Sequence, residues 1–153
     1  MSKNDPQIVP GKLNLKAVHI EKAAVEHPEG FDTSEVSGFT QNVSQDVALN
    51  LQDELYRLRI TFQVVTKMKQ ESPAASGAFS LLFYFQVEDL KDWVVIDEDQ
   101  REHIHQILAT TLFSIAYSTA RGILLTRFQG TVFSNFVLPI INPAAIFQNN
   151  HTQ

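Results

Sequence analysis

Residues 107–125 read ILATTLFSIAYSTARGILL. Apolar side chains recur at three- and four-residue steps through this stretch, which is the period of an α-helix. A helix at the edge of a soluble monomer needs a charged outer face. This one has none after Glu102: from His103 to Gln153 the only formally charged side chains are Arg121 and Arg127. Such a helix either sits at the centre of one large core or is covered on its second side by another copy of the chain.

Projection at about 100° per residue divides the apolar positions into two stripes. Ile104, Leu108, Leu112, Ile115 and Thr119 form one; Phe113, Tyr117, Ala120 and Leu124 form the other, roughly opposite. With one sheet in the chain, the second stripe is expected to be an oligomer interface. The competing possibility is that the C-terminal segment folds back over it. Asp97 reads as the N-cap, with Gln100 at the capping-box position and Glu98, Asp99 and Glu102 favouring the positive helix end.

Upstream, the period changes from helical to two. Leu13, Leu15 and Ala17 alternate with polar residues, then the phase shifts through Val18 and Ile20, as at a β-bulge. Residues 31–40 read as a polar crossover loop carrying Phe31, Val36 and Phe39. A second strand places Val43, Val47, Leu49 and Leu51 on one face, and Gln52–Glu54 closes a hairpin. The third alternates cleanly through Tyr56, Leu58, Ile60, Phe62 and Val64. Lys67–Gly77 reads as a mobile loop, and the fourth strand presents Phe79, Leu81, Phe83, Phe85 and Val87 on one face. Strands joined by short loops imply an antiparallel meander, with the long helix as cover for its apolar face. After Arg127, Gly130 marks a break, an extended apolar segment follows, and Asn142-Pro143 opens a short final helix. The whole is an α+β fold: a four-stranded antiparallel sheet packed against a long C-terminal helix, plus a short final helix. It spans 1–153 as a single domain, with disordered tails expected at 1–11 and 149–153.

Composition narrows the chemistry. Net charge is −5, and all 17 acidic side chains precede His103. No basic cluster is present, which argues against nucleic acid as a partner. Cysteine is absent, so disulfides and thiol chemistry are excluded. Residues 1–11 lack the apolar core of a signal peptide, and polar residues interrupt the helix too often for a membrane span, so the expected location is cytoplasmic. His103 and His105 lie two apart and would not share a helix face. No phosphate loop, nucleophile elbow or metal-ligand spacing stands out, and the chain is not expected to be an enzyme or to need a cofactor. An enzyme built on His19 or His27 is the weakest reading. A small hydrophobic-ligand domain, with a pocket between the Phe-rich sheet face and the helix, is a stronger alternative.

The order of elements resembles SecB, the bacterial protein-export chaperone family. Tyr117-Ser118-Thr119-Ala120-Arg121 is similar to the family's Tyr-Ala-Arg helix motif with two residues inserted. Arg127-Phe128-Gln129-Gly130-Thr131 and Ile141-Asn142-Pro143-Ala144-Ala145-Ile146-Phe147 also match in order and spacing, and Val25-Glu26-His27-Pro28 resembles the end of the family's first strand. The resemblance runs from about Leu13 to Asn149. It implies an ATP-independent holdase for unfolded preproteins, assembled as a homotetramer, a dimer of dimers, that hands clients to SecA. It places a client-binding groove at Phe31, Phe39, Phe79, Val132, Phe133, Phe136 and Phe147, an oligomer interface at Phe113, Tyr117, Ala120 and Leu124, and SecA docking near Glu26 and Leu82. The chain departs from the family pattern at the docking positions: Lys22 stands for an Asp, Ser80 and Leu82 for a Leu and a Glu. Those departures argue against SecA docking in the family manner, and the alternative is a SecB-like chaperone serving another client, such as the antitoxin of a toxin–antitoxin system.

Overall fold

The computed structural model describes residues 6–148. Four long strands form one antiparallel sheet: β1 (Leu13–Glu26), β2 (Val36–Asn50), β3 (Leu55–Met68) and β4 (Ser76–Val87), in the spatial order β1-β4-β3-β2. A small hairpin follows, β5 (Val94–Ile96) with β6 (Glu102–Ile104), then α1 (Gln106–Arg127) and α2 (Pro143–Gln148). This is the α+β arrangement expected from the sequence, with the hairpin as an addition; β2, β3 and β4 form the expected meander, but β1 crosses over to pair with β4 instead of β2.

Side-chain alternation sets the two faces of the sheet. Phe62 pairs with Phe79, Ile60 with Leu81, Leu58 with Phe83 and Tyr56 with Phe85, so the apolar sets of β3 and β4 share one buried face. Burying side chains of this size contributes about 1.5–3 kcal/mol each. The predicted phase change in β1 is real and double: its register against β4 shifts between Leu15 and Ala17 and again between Ile20 and Lys22. Of the two expected tails, only 6–11 lies among the described residues, and there Ile8 packs against the core.

Three boundaries differ from the expectation. β2 begins at Val36, so Phe39 belongs to a strand and not to a crossover loop. The loop between β3 and β4 shrinks to 69–75, because both strands run further than their apolar alternation. Asp97 is not the cap of α1. It closes the β5–β6 hairpin, where its Oδ1 accepts the N–H groups of Asp99 and Arg101, each at 2.9 Å. The first turn of α1 is capped by His105, whose Nδ1 accepts the Ile107 N–H at 3.2 Å. An acidic residue that collects backbone N–H groups looks alike in sequence whether a hairpin or a helix follows.

The two stripes of α1 are the flanks of one broad buried face. Leu108, Ala109, Leu112, Phe113, Ala116, Tyr117, Ala120 and Leu124 all lie in the core. Phe113, Tyr117, Ala120 and Leu124 therefore cannot be the oligomer interface expected of them. They are covered within the chain, because the C-terminal segment does fold back. Tyr117 Oη donates to the Pro139 carbonyl at 2.6 Å, and Arg121 Nε donates to the Leu138 carbonyl at 2.9 Å. Gly130, at φ +77°, supplies the left-handed residue that turns the chain after α1. Asn142 Oδ1 accepts the Ala144 N–H at 3.1 Å and opens α2, as its position before Pro143 predicts.

Candidate functional site

The fold-back divides the predicted groove residues. Phe79, Phe133 and Phe136 are buried in an aromatic cluster centred on Phe128. Phe128 lies 5.1 Å from Phe79, 5.4 Å from Phe133 and 5.8 Å from Phe136, centroid to centroid. These three cannot line an open groove, since their own neighbours fill the space. Phe39 bridges the cluster to the surface: it is half-buried, 5.8 Å from Phe133 and 5.4 Å from Phe136. Phe31 and Val132 are also half-buried on the rim, with Phe31 edge-on to His27 at 5.4 Å. Phe147 lies in α2, and its side chain falls outside the described residues.

What remains open is the edge of the sheet at β2. No strand pairs with its outer side among the described residues. Phe39, Gln41, Val43, Gln45, Val47 and Leu49 stand opposite Thr66, Val64, Phe62, Ile60, Leu58 and Tyr56, so they share the core-side face of the sheet. At the edge that face overhangs its cover: Val47 and Leu49 are each 40% exposed, and Leu51 in the following turn 38%. Only one charged residue, Asp46, lies in the fifteen of β2, and Arg59 Nη1 holds it at 3.0 Å on the opposite face. The other edge is built differently. β1 carries Lys16, Glu21, Lys22 and Glu26 and both register shifts. Charges and bulges are what keep an exposed edge from pairing with another chain. β1 carries four charges and two shifts, whereas β2 has the single charge of Asp46 and one shift at its start, between Val36 and Gly38. The signal was in the sequence, as the near-absence of charge in a polar-looking strand.

A second open surface is the outer face of α1. Ile107, Ile115 and Leu125 are exposed there, beside Ser118, Gly122 and Thr126. Its hydroxyls turn inward on their own helix: Thr111, Ser114, Thr119 and Thr126 each donate to the carbonyl four residues back, at 2.7–3.2 Å. The face thus carries no charge and few free donors. By length and composition α1 would suffice to cross a membrane, but one side of it packs on the protein's own sheet.

The remaining candidates scatter. Leu82 is only 6% exposed, between its strand partners His19 and Arg59, and has little side chain to offer a docking protein. Glu26 is exposed at the end of β1, where Glu26, His27, Pro28, Ala74 and Ser76 line an open concavity of about 380 Å³. His19 meets Tyr84 edge-on at 5.7 Å, His103 lies in β6 and His105 caps α1. Among the described residues no group of three or more His, Cys, Asp or Glu is placed to hold a metal ion. The ionic feature of the outer sheet face is Arg59, which grips Glu21 through Nε at 2.9 Å and Asp46 through Nη1. That guanidinium holds the Glu21 carboxyl below its ordinary range.

No protein-family model matches the chain, and no curated protein does. The fold does have a solved counterpart. It is similar to the SecB-like chaperone Rv1957 of Mycobacterium tuberculosis, solved in complex with a ChAD peptide from the Rv1956 HigA1 antitoxin. The TM-score is 0.55 at 12% identity, over 86% of this chain and 91% of that one. A protein of unknown function from Streptococcus agalactiae also aligns, with 10% identity over 74% of this chain and 88% of that one, at a TM-score of 0.32.

Proposed function

We propose that this protein is a SecB-like chaperone that holds extended, non-native polypeptide without ATP, and that the open edge of β2 is where it does so. The observation that carries the reading is that edge: fifteen residues long, one charge, and apolar side chains overhanging the core. An added strand would take its main-chain hydrogen bonds from β2 whatever its sequence, and the overhang of Val47 and Leu49 would reward apolar side chains at alternate positions. Phe31, Phe39 and Val132 extend the apolar surface at the other end of the strand. Each contact is weak once the ordering of the client is counted, so useful affinity requires several such edges on one assembly. The outer face of α1 suits that assembly: uncharged, with Thr111, Ser114, Thr119 and Thr126 already bonded within the helix, it loses little on being covered by a second copy. We place the oligomer contact there, in a cytoplasmic homo-oligomer.

The likeness to the fold of Rv1957 supports a polypeptide-binding role, and the peptide in that structure favours an antitoxin segment as client over an exported preprotein. The poor exposure of Leu82 points the same way, against SecA docking in the family manner. The reading is tested by mixing the protein with reduced α-lactalbumin under aggregating conditions. Suppression of light scattering near one binding site per client, unchanged by ATP, is the expected result. Aggregation at the uninhibited rate would remove the holdase reading.

A further inference from the structure

We propose that, without a client, the open edge of β2 closes on the same edge of a second copy, antiparallel and with the two-fold axis through Val43, and that a client must displace that copy to bind. The displacement rests on the reading of β2 as the client-binding edge; the pairing does not. Backbone geometry restricts the choice of axis. In an antiparallel strand each residue turns its N–H and its C=O to the same side, and successive residues alternate sides. β2 pairs with β3 without a shift from Gly38 to Asn50, so one alternate set faces β3 and the other faces outward. Two copies of one strand therefore pair only with residues of like parity opposite, and the axis must pass through a residue. The same condition keeps the core-side faces of the two copies level.

Side-chain type then selects the residue. About Val43, Phe39 of each copy stands opposite Val47 of the other, Gln41 opposite Gln45, and Val43 opposite itself. On the other face Asn42 meets Ser44 and Thr40 meets Asp46, and at each end Gly38 meets Ala48. Apolar meets apolar and polar meets polar from Gly38 to Ala48, and Val47, 40% exposed in the single chain, gains an aromatic neighbour. No other axis pairs as long a stretch without a mismatch. Centres at Asn42, Ser44, Gln45, Asp46 and Val47 each set Val43, Val47 or Leu49 against Gln41 or Gln45. The Asp46 centre also opposes two carboxylates, which is destabilising. A centre at Gln41 matches, but it ends at Ser44 and leaves Val47 in water; axes nearer the ends pair fewer residues still. About Val43 the two Asp46 residues stand roughly 20 Å apart along the strands. One strand pair is a small contact beside a standard interface. It forms at high subunit concentration and yields to a client. It also covers the long edge that lacks the usual charges against unwanted pairing.

The chain has no cysteine, so a single introduced thiol reports its own position without interference. Concentrated Val43→Cys, Gln41→Cys and Gln45→Cys are each treated with a short bis-maleimide, and covalent dimer is followed by denaturing gel. Val43→Cys is expected to crosslink about tenfold faster than either of the others, because only at the axis does a residue meet its own copy within reach. Gln41→Cys and Gln45→Cys are expected to crosslink when mixed, though neither does so alone. A labelled, cysteine-free peptide of alternating leucine and serine, shown by fluorescence anisotropy to bind, is expected to slow the Val43→Cys reaction to the rate of random collision. Equal rates at the three positions, or a maximum at Gln41 or Gln45, overturn the inference. So does an unchanged Val43→Cys rate with the peptide bound. If Val43→Cys does not crosslink while reduced α-lactalbumin is still held, the self-pairing fails and the holdase reading stands. If it crosslinks as expected while neither peptide nor α-lactalbumin is held, the pairing stands, the displacement is overturned with the holdase reading, and the edge is a subunit contact alone.

Discussion

The ring of Phe133 rests on Gly77: a Cβ at Gly77 would meet Phe133 Cε2 at 3.4 Å and Phe79 Cε2 at the same distance. The absence of a side chain on β4 is thus what lets the C-terminal segment lie flat against the sheet. A single methyl at 3.4 Å is at the limit of ordinary contact, and alanine also removes the flexibility that glycine brings to a strand interior. Gly77→Ala is expected to be near neutral by urea denaturation. Gly77→Val pushes a branched side chain into Phe79, Phe128 and Phe133 and should cost about 1–3 kcal/mol, the usual range for overpacking. Equal stability of the two variants would show that the Phe133 ring can shift freely.

Tyr117 was expected to face a partner subunit and instead ties down its own chain. Its hydroxyl and the Arg121 guanidinium bind the adjacent carbonyls of Pro139 and Leu138. Tyr117→Phe keeps the ring in the core and removes one donor, with an expected loss of about 0.5–1.5 kcal/mol. The loss should be local: hydrogen exchange would speed up in 136–141 before the strands of the sheet. Tyr117→Asp, by contrast, buries a charge beside Phe62 and Phe113. It should unfold the subunit, and a folded monomer recovered from that variant would contradict the packing described here.

The strands and the final cap were legible because their signals are local: period-two alternation in 55–64 and 79–87, and Asn142 before Pro143. The direction of the helix faces was not. A wheel projection assigns angles, but it does not say how wide an arc the rest of the chain will cover. Ile115 and Thr119 shared a stripe with Leu108 and Leu112, yet Ile115 is exposed. Nor could the sequence separate Phe39 on the rim from Phe133 in the core. Each is a phenylalanine followed by a hydroxyl residue, Thr40 or Ser134, and only the return of the chain over α1 distinguishes them.

Acid should weaken the sheet through Glu21. Its hydrogen bond to Arg59 holds the carboxyl below the ordinary value of 4.5, and Ser80 adds a weaker contribution. A carboxyl whose folded pKa is depressed contributes stability that is full above its unfolded value and is lost as pH falls through the folded one. Glu21→Gln should therefore flatten the stability profile below about pH 4.5 and leave it unchanged in shape near neutrality. Both partners are exposed enough for salt to screen them, so 0.5 M sodium chloride should shrink the difference between wild type and variant. Lys12, raised by Asp89, predicts the opposite limb: its contribution holds below 10.5 and fades as pH rises beyond it.

The outer face of α1 gives the sharpest separation between folding and assembly. Ile115 and Leu125 are 39% exposed each and do not contribute to the buried set. Replacing both with glutamate puts charge on a face that the isolated subunit leaves in water, where substitutions usually change stability by no more than about 0.5 kcal/mol. The same two charges inside a subunit contact would be desolvated without partners. Ile115→Glu with Leu125→Glu is expected to give a folded monomer by light scattering, with circular dichroism and urea midpoint close to wild type. Suppression of α-lactalbumin aggregation should fall with it, since each monomer offers a single β2 edge and loses the gain from multiple contacts. An unchanged mass would move the assembly contact off this face, and an unchanged mass with full activity would leave the apolar outer face of Ile107, Ile115 and Leu125 without a role.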